Sequence, residues 1–196
     1  MLSQIRPAVV MIALFTGLLG VAYPLAVTGV AQAVFPSQAD GSLVRDEAGR
    51  VIGSALVGQS FAASGYLHPR PSAAGAGYDA AASSGSNLGP LNPDLIARVK
   101  TDAEALRTEA GGAVIPADAV TTSASGLDPH ISPAYARLQA ARIAQARGVA
   151  LEEVSQVIEQ RVEGRTFGVL GQPRVNVLLT NMALDARFGR RTAEGG

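Results

Sequence analysis

Between Thr121 and Pro133 the chain places Ser123, Ser125, Asp128 and His130 within a few residues of one another. These are the side-chain types of an acyl-transfer triad, in which a serine attacks, an imidazole takes its proton and a carboxylate orients the imidazole. A hydrolase using Ser125, Asp128 and His130 is therefore the enzymatic reading of this stretch. The structural alternative is an ordered turn, with Asp128 and Ser132 bonding nearby backbone amides while Pro129 and Pro133 fix φ beside them. Triads are recognised by geometry rather than by nearness in sequence, and no Gly-x-Ser-x-Gly elbow frames either serine. The turn is the favoured reading.

Three other groupings invite chemistry. His68-Pro69-Arg70-Pro71 is a stiff extended stretch carrying one cation, suited to packing a loop or touching an anion. Ser83-Ser84-Gly85-Ser86-Asn87-Leu88-Gly89-Pro90 has the Gly and Asn content from which backbone amides make small anion nests, although an ordinary Ser/Gly turn has the same composition. The two histidines, His68 and His130, lie far apart with no metal-ligand spacing around either. The chain has no cysteine, which excludes disulfides, thiolate nucleophiles and cysteine-based metal sites. Its single lysine, Lys100, sits between Val99 and Thr101. A phosphate-binding loop needs Gly-Lys-Ser/Thr, and a phosphorylated-aspartate pump needs Asp-Lys, so this chain does not itself carry either kind of ATP hydrolysis.

The elements that must position these residues follow from periodicity and punctuation. Ser42–Arg45 and Arg50–Val57 around Asp46-Glu47-Ala48-Gly49 predict a hairpin. Residues 58–91, rich in Gly, Ser, Pro and Ala, predict a long loop whose large residues Phe61, Tyr66, His68 and Tyr78 are unusual for a plain linker. Asn92-Pro93-Asp94 is a helix start, with Leu95, Ile96, Val99, Ala103 and Leu106 on one face before Gly111-Gly112. Ser132 and Pro133 open a second helix, expected to run to Arg147, and Leu151 to Val162 forms a third ending before Gly164. Thr166–Leu170 is expected as a strand and Val175–Phe188 as a buried terminal helix. The fold class is α+β with few strands.

The 16 basic and 16 acidic residues balance, which argues against a nucleic-acid partner. Charged residues make up 16% of the chain, below the roughly 25% of a soluble domain. The deficit has one source: residues 7–39 carry no charge at all. This stretch exceeds the roughly 20 residues that cross a hydrocarbon core and predicts one transmembrane helix over 7–34, with Pro24 within it. The division expected is a tail over 1–6, the helix over 7–34 and a single α+β domain over 35–196. A cleaved signal peptide is the rival, since Ala31-Gln32-Ala33 fits a small-x-small cleavage site. The apolar run is longer than a signal's core, and that favours a retained anchor. Flanking charge does not choose an orientation.

Taken together, Tyr66-Leu67-His68-Pro69-Arg70-Pro71-Ser72-Ala73, Ser86-Asn87-Leu88-Gly89-Pro90, Ser125 through Pro133 and Val175-Asn176-Val177-Leu178-Leu179, in this order behind one amino-terminal span, resemble the KdpC family of bacterial potassium-transporting ATPases. The resemblance implies a noncatalytic, single-pass inner-membrane subunit whose soluble domain lies outside the cytoplasm. Its implied partners are the potassium-channel-like, P-type ATP-hydrolysing and small hydrophobic subunits of the Kdp complex, together with membrane lipid. It further implies a role in assembly and as a catalytic chaperone that raises the ATP affinity of the P-type subunit. The suggested ATP contact is the loop Ser83, Ser84, Gly85, Ser86, Asn87, Leu88 and Gly89, with Ser84 where many relatives have glycine. The runner-up is a secreted Ser/Asp/His hydrolase with a cleaved signal peptide.

Overall fold

The computed structural model describes residues 2–189 and divides into two compact units, one ending at Ser54 and the other beginning at Ala55. The first unit is dominated by a helix over Ile5–Val34, 30 residues with a mean hydropathy of 2.1. At 1.5 Å per residue it reaches about 45 Å, long and apolar enough to cross a membrane. Its winding widens over Thr16–Ala22, where the hydrogen bonds span five residues, as from the Tyr23 amide to the Leu18 carbonyl. Pro24 gives the physical reason. It has no N–H to offer, and its ring crowds the carbonyl four residues back, so the turns before it loosen.

The helix stops at Phe35, whose backbone leaves the helical region ahead of Pro36. Beyond it β1 (Leu43–Arg45) pairs antiparallel with β2 (Val51–Ser54), the hairpin that the sequence predicts. Its turn is closed by the Asp46 carboxylate, which accepts from the Ala48 and Arg50 amides at 3.0 and 2.9 Å.

The second unit is α+β with few strands. Strand β5 (Arg174–Asn176) lies between β3 (His130–Ile131) and β4 (Val162–Glu163), antiparallel to both. Helices cover the sheet. Pro93–Glu109 is capped by Asn92, whose side-chain oxygen accepts from the Asp94 and Leu95 amides, as the Asn-Pro-Asp signal predicts. Its face is only partly as expected, since Val99, Ala103 and Leu106 pack against the core while Ile96 is exposed. Ser132 caps the next helix through the Tyr135 amide at 3.0 Å, but the continuous run expected to Arg147 is broken at Gln139 into Pro133–Leu138 and Ala140–Arg147. Leu151–Gln160 follows, buried through Val154, Val157 and Ile158.

Two further expectations change. Thr166–Leu170 is not a strand but an exposed hairpin turn with Phe167 at a positive φ of 53°; among the described residues its apolar side chains Phe167, Val169 and Leu170 stand exposed, so their β-propensity has no surface to fit. The terminal helix begins at Val177 rather than Val175, because Val175 and Asn176 supply the central strand first and Asn176 then caps the helix through the Leu179 amide.

The core of Ile131, Ile143, Val154, Ile158, Val175 and Leu184 also receives Leu67 from the long loop, with 0% of its surface exposed. A loop residue at that depth brings its backbone with it, and buried amides and carbonyls need partners. Side chains supply them. Asn181 accepts from the Leu67 amide at 2.7 Å and donates to the Leu67 carbonyl at 3.0 Å. Gln139 does the same for His68, accepting at 2.7 Å and donating at 3.1 Å. Arg142 donates to the carbonyls of Ser64 and Tyr66, and Arg147 to that of Gly65 at 2.7 Å. The interruption at Gln139 sits beside this clamp.

Arg147 is itself buried, with 1% of its side chain exposed. Its charge is met by Asp185 at 2.8 Å, and its guanidinium carbon lies 4.9 Å from the centre of the Tyr66 ring. The Tyr66 hydroxyl donates to the other Asp185 oxygen at 3.0 Å. Such a charge is tolerated inside a protein only when paired and fully hydrogen-bonded. Asn181→Leu keeps the volume and strips both bonds from buried Leu67 backbone atoms, so urea denaturation of the detergent-solubilised chain should show a loss of about 2–4 kcal/mol. A midpoint equal to the parent's would show that the clamp is not needed.

Candidate functional site

The segment singled out for its serine, aspartate and histidine is the place where the unit's loops converge. Gly126 has a φ of 68°, and a Cβ on it would stand 2.6 Å from the Ser84 carbonyl and 2.7 Å from the Ala74 amide. Only glycine both adopts that conformation freely and admits two backbones so close. The neighbours are stitched to it. The Ser72 hydroxyl donates to the Gly126 carbonyl at 2.6 Å, the Ser84 amide and Ser83 hydroxyl both donate to the Ser125 carbonyl, and the Gly58 amide donates to the Leu127 carbonyl at 2.7 Å. Gly58 repeats the argument, since its Cβ would lie 2.7 Å from the Asp128 carbonyl oxygen.

Electrostatics ties the same point to the His-Pro-Arg-Pro stretch. The Arg70 guanidinium reaches Asp128 at 3.2 Å and donates to the carbonyls of Thr121 and Thr122, each at 3.3 Å. The other Asp128 oxygen accepts from the His130 amide at 3.0 Å and lies 3.5 Å from His130 Nδ1. Burial pushes the Asp128 carboxyl up, but the His130 bonds and the Arg70 charge outweigh it, and the group titrates below its ordinary value. Tyr78, also at positive φ, closes the Arg70 loop by donating its hydroxyl to the Arg70 carbonyl. Burial pushes that phenol up, so it stays protonated and a donor.

This arrangement is not a triad. The Ser125 hydroxyl accepts from the Leu127 amide at 3.1 Å and lies 3.4 Å from that of Ser123. Among the described residues it has no bond to His130. Asp128 and His130 are brought together, but by a turn in which the carboxylate caps an amide. These residues take the positioning roles of the turn reading.

The Ser83–Gly89 loop lies directly on this hub. Thr122 donates to the Ser86 hydroxyl at 3.4 Å, a Cβ on Gly85 would come 3.0 Å from the Ala124 carbonyl, and Asn87 has a φ of 52°. Ser84 Oγ turns to the Gly85 carbonyl, whereas Leu88 and Gly89 reach the exposed surface. Among the described residues no group of three His, Asp or Glu is placed to hold a metal. Composition and spacing signal the serines and glycines of the hub, but not Gln139, Asn181, Arg142 or Arg147. Their loop partners lie more than 70 positions away, and only the fold brings such partners into contact.

The family model for the K+-transporting ATPase c chain, KdpC, matches residues 5–186. The potassium-transporting ATPase KdpC subunit of Caulobacter sp. (strain K31) is 66% identical over 196 residues, covering 100% of both chains. That of Caulobacter vibrioides (strain NA1000 / CB15N) is 67% identical over 188 residues, 96% of this chain and 95% of the relative. The KdpC subunit of Myxococcus xanthus is 64% identical over 190 residues, covering 96% and 88%.

Two outcomes check the hub. Gly126→Ala should cost more than about 2 kcal/mol, because the new methyl meets backbone atoms that cannot turn aside. Asp128 gives a pH dependence of definite sign. Its carboxyl is depressed in the folded state, so its stabilisation is complete above the unfolded value near 3.8 and is lost as pH falls through the lower folded value. Asp128→Asn should therefore be less stable than the parent at pH 7, by about 1 kcal/mol, with the gap closing in acid. A gap independent of pH would contradict the charged contact with Arg70.

Proposed function

The chain belongs to the KdpC family, the c chain of K+-transporting ATPases, and from that premise we propose that it is the noncatalytic subunit on which assembly of the potassium-uptake complex depends. The observation that carries this reading is the rigid loop hub around Gly126. Two backbone approaches to Gly126 would be under 3.0 Å to a Cβ, yet the hub brings together no nucleophile and base. Energy spent on holding loops in fixed places without a reaction centre suits a surface that must present itself to other proteins.

The partners proposed are the other members of the complex: the potassium-channel-like subunit, the P-type ATP-hydrolysing subunit, and the small hydrophobic one. The Ile5–Val34 helix anchors the chain once in the inner membrane, with the part after it on the extracytoplasmic side. Every described side chain of that helix but one is exposed, which leaves Gly17, Gly20 and Gly29 with Ala13, Ala22 and Ala26 available for close approach to neighbouring helices.

The chaperone role belongs to the same reading: a protein that clamps the complex in its ATP-competent arrangement raises the apparent ATP affinity of the P-type subunit without touching nucleotide. Direct contact with ATP through Ser83–Gly89 is the second proposal. It is favoured by one observation, that the amides of Gly85 to Leu88 have no hydrogen-bond partner among the described residues while Asn87 is in the left-handed conformation of a nest.

Replacing Gly17 and Gly20 together by Leu should lower the yield of intact complex by about fivefold or more without preventing membrane insertion, because close backbone approach supplies much of helix association in lipid. The measurement is copurification of the channel-like and ATP-hydrolysing subunits from detergent extracts, with potassium-stimulated ATP hydrolysis of what is recovered. Unchanged yield and activity would remove the span from the docking surface.

A further inference from the structure

An open groove of about 490 Å³ runs between the His68–Pro71 stretch and the Pro93–Glu109 helix. Its walls include Phe61, His68, Tyr78, Asp102, Leu106 and Tyr135. Tyr135 is 4% exposed overall and lines the groove; its hydroxyl, which solvent still reaches, has no hydrogen-bond partner among the described residues. Burial pushes it up to about 12, so it remains a neutral hydroxyl with lone pairs to offer.

The charges around the groove are paired with differing closeness, and Asp102 has the longest contact of the three carboxylates nearest it. Arg70 turns its guanidinium to Thr121, Thr122 and Asp128. Arg142 Nε lies 2.7 Å from Glu109, without the alignment of a hydrogen bond. Asp118 accepts from the amide and hydroxyl of Ser132. Asp102, its side chain 37% exposed, pairs with Arg98 at 3.7 Å, its one ion-pair partner among the described residues. His68 is held toward its neutral form by burial and by the Arg142 charge, so it does not repel a cation. The groove thus combines apolar and aromatic walls, a carboxylate with a distant partner and a phenol oxygen without a donor.

We propose that this groove receives an arginine or lysine side chain of a partner subunit, its aliphatic stem against Leu106 and its cationic head shared by Asp102 and the Tyr135 hydroxyl. A long stem carrying a charged tip needs this combination of surfaces, and aromatic rings add attraction for a cation. The inference rests on the assembly reading, and it names the contact that the reading leaves open.

The test uses the full chain coexpressed with its partner subunits. Asp102→Lys should lower copurification by about tenfold, and Tyr135→Phe by about threefold, as expected when a charge-assisted contact is reversed or trimmed. Glu104→Lys, an exposed reversal on the same helix, should leave it within about twofold. Equal loss in the Asp102 and Glu104 variants, or parent-like recovery of both groove variants, overturns the proposal. If the parent chain itself fails to copurify, the assembly reading falls first. In detergent micelles, N-acetylarginine amide should shift the Tyr78 and Tyr135 ring resonances of the parent but not of Asp102→Asn. Equal shifts with the neutral analogue N-acetylcitrulline amide overturn the choice of a cation.

Discussion

Burying one loop side chain, Leu67, sets the terms for the second unit. The side chain belongs to a stretch with no strand beside it, so every amide and carbonyl that enters with it needs a partner brought from elsewhere. The unit answers with side chains that imitate a strand edge. Asn181 and Gln139 each pair with both backbone groups of one residue, and Arg142 and Arg147 take the carbonyls before them. The buried charge of Arg147 and its pairing with Asp185 serve the same stretch, and the break between helices at Gln139 lies beside it. So does the direction in which the chain leaves, with His68-Pro69-Arg70-Pro71 delivered to Asp128 and the Gly126 hub.

The hub turns this anchorage into a surface. Ser72, Ser83, Ser84 and Gly58 bond to the carbonyls of residues 125–127, so loops from separate parts of the sequence are held at one point by backbone contacts that only glycine permits. Serine, aspartate and histidine residues gathered in this way resemble an active site in composition while acting as fasteners. That distinction lies in the bonds: a nucleophile's hydroxyl points to a base, whereas the Ser125 hydroxyl accepts from a backbone amide two residues on.

Legibility from sequence followed the range of the interactions. The apolar span, the hairpin around Asp46–Gly49, the Asn92 and Ser132 caps and the helical stripe of Val154, Val157 and Ile158 are local devices, readable from a few neighbouring residues. The role of Asp128 as a turn carboxylate was legible for the same reason. Strands β3 and β4 have two residues each, too few for an alternating pattern to show. Phe167, Val169 and Leu170 read as a strand because their propensity is β, yet each is more than half exposed, and propensity without a surface to cover forms no sheet. The amide clamps on Leu67 and His68 were invisible, since an Asn or Gln in a helical sequence pattern looks the same whether it faces water or a buried backbone.

The central proposal is that this KdpC-family chain serves the assembly of the potassium-ATPase complex rather than a reaction at its own loops. Native mass spectrometry of detergent extracts, from cells producing the other potassium-ATPase subunits with and without this chain, tests it most directly. The account predicts a stable assembly containing the channel-like and ATP-hydrolysing subunits only when the chain is present. Recovery of the same assembly, with full potassium-stimulated ATP hydrolysis, in its absence would contradict it.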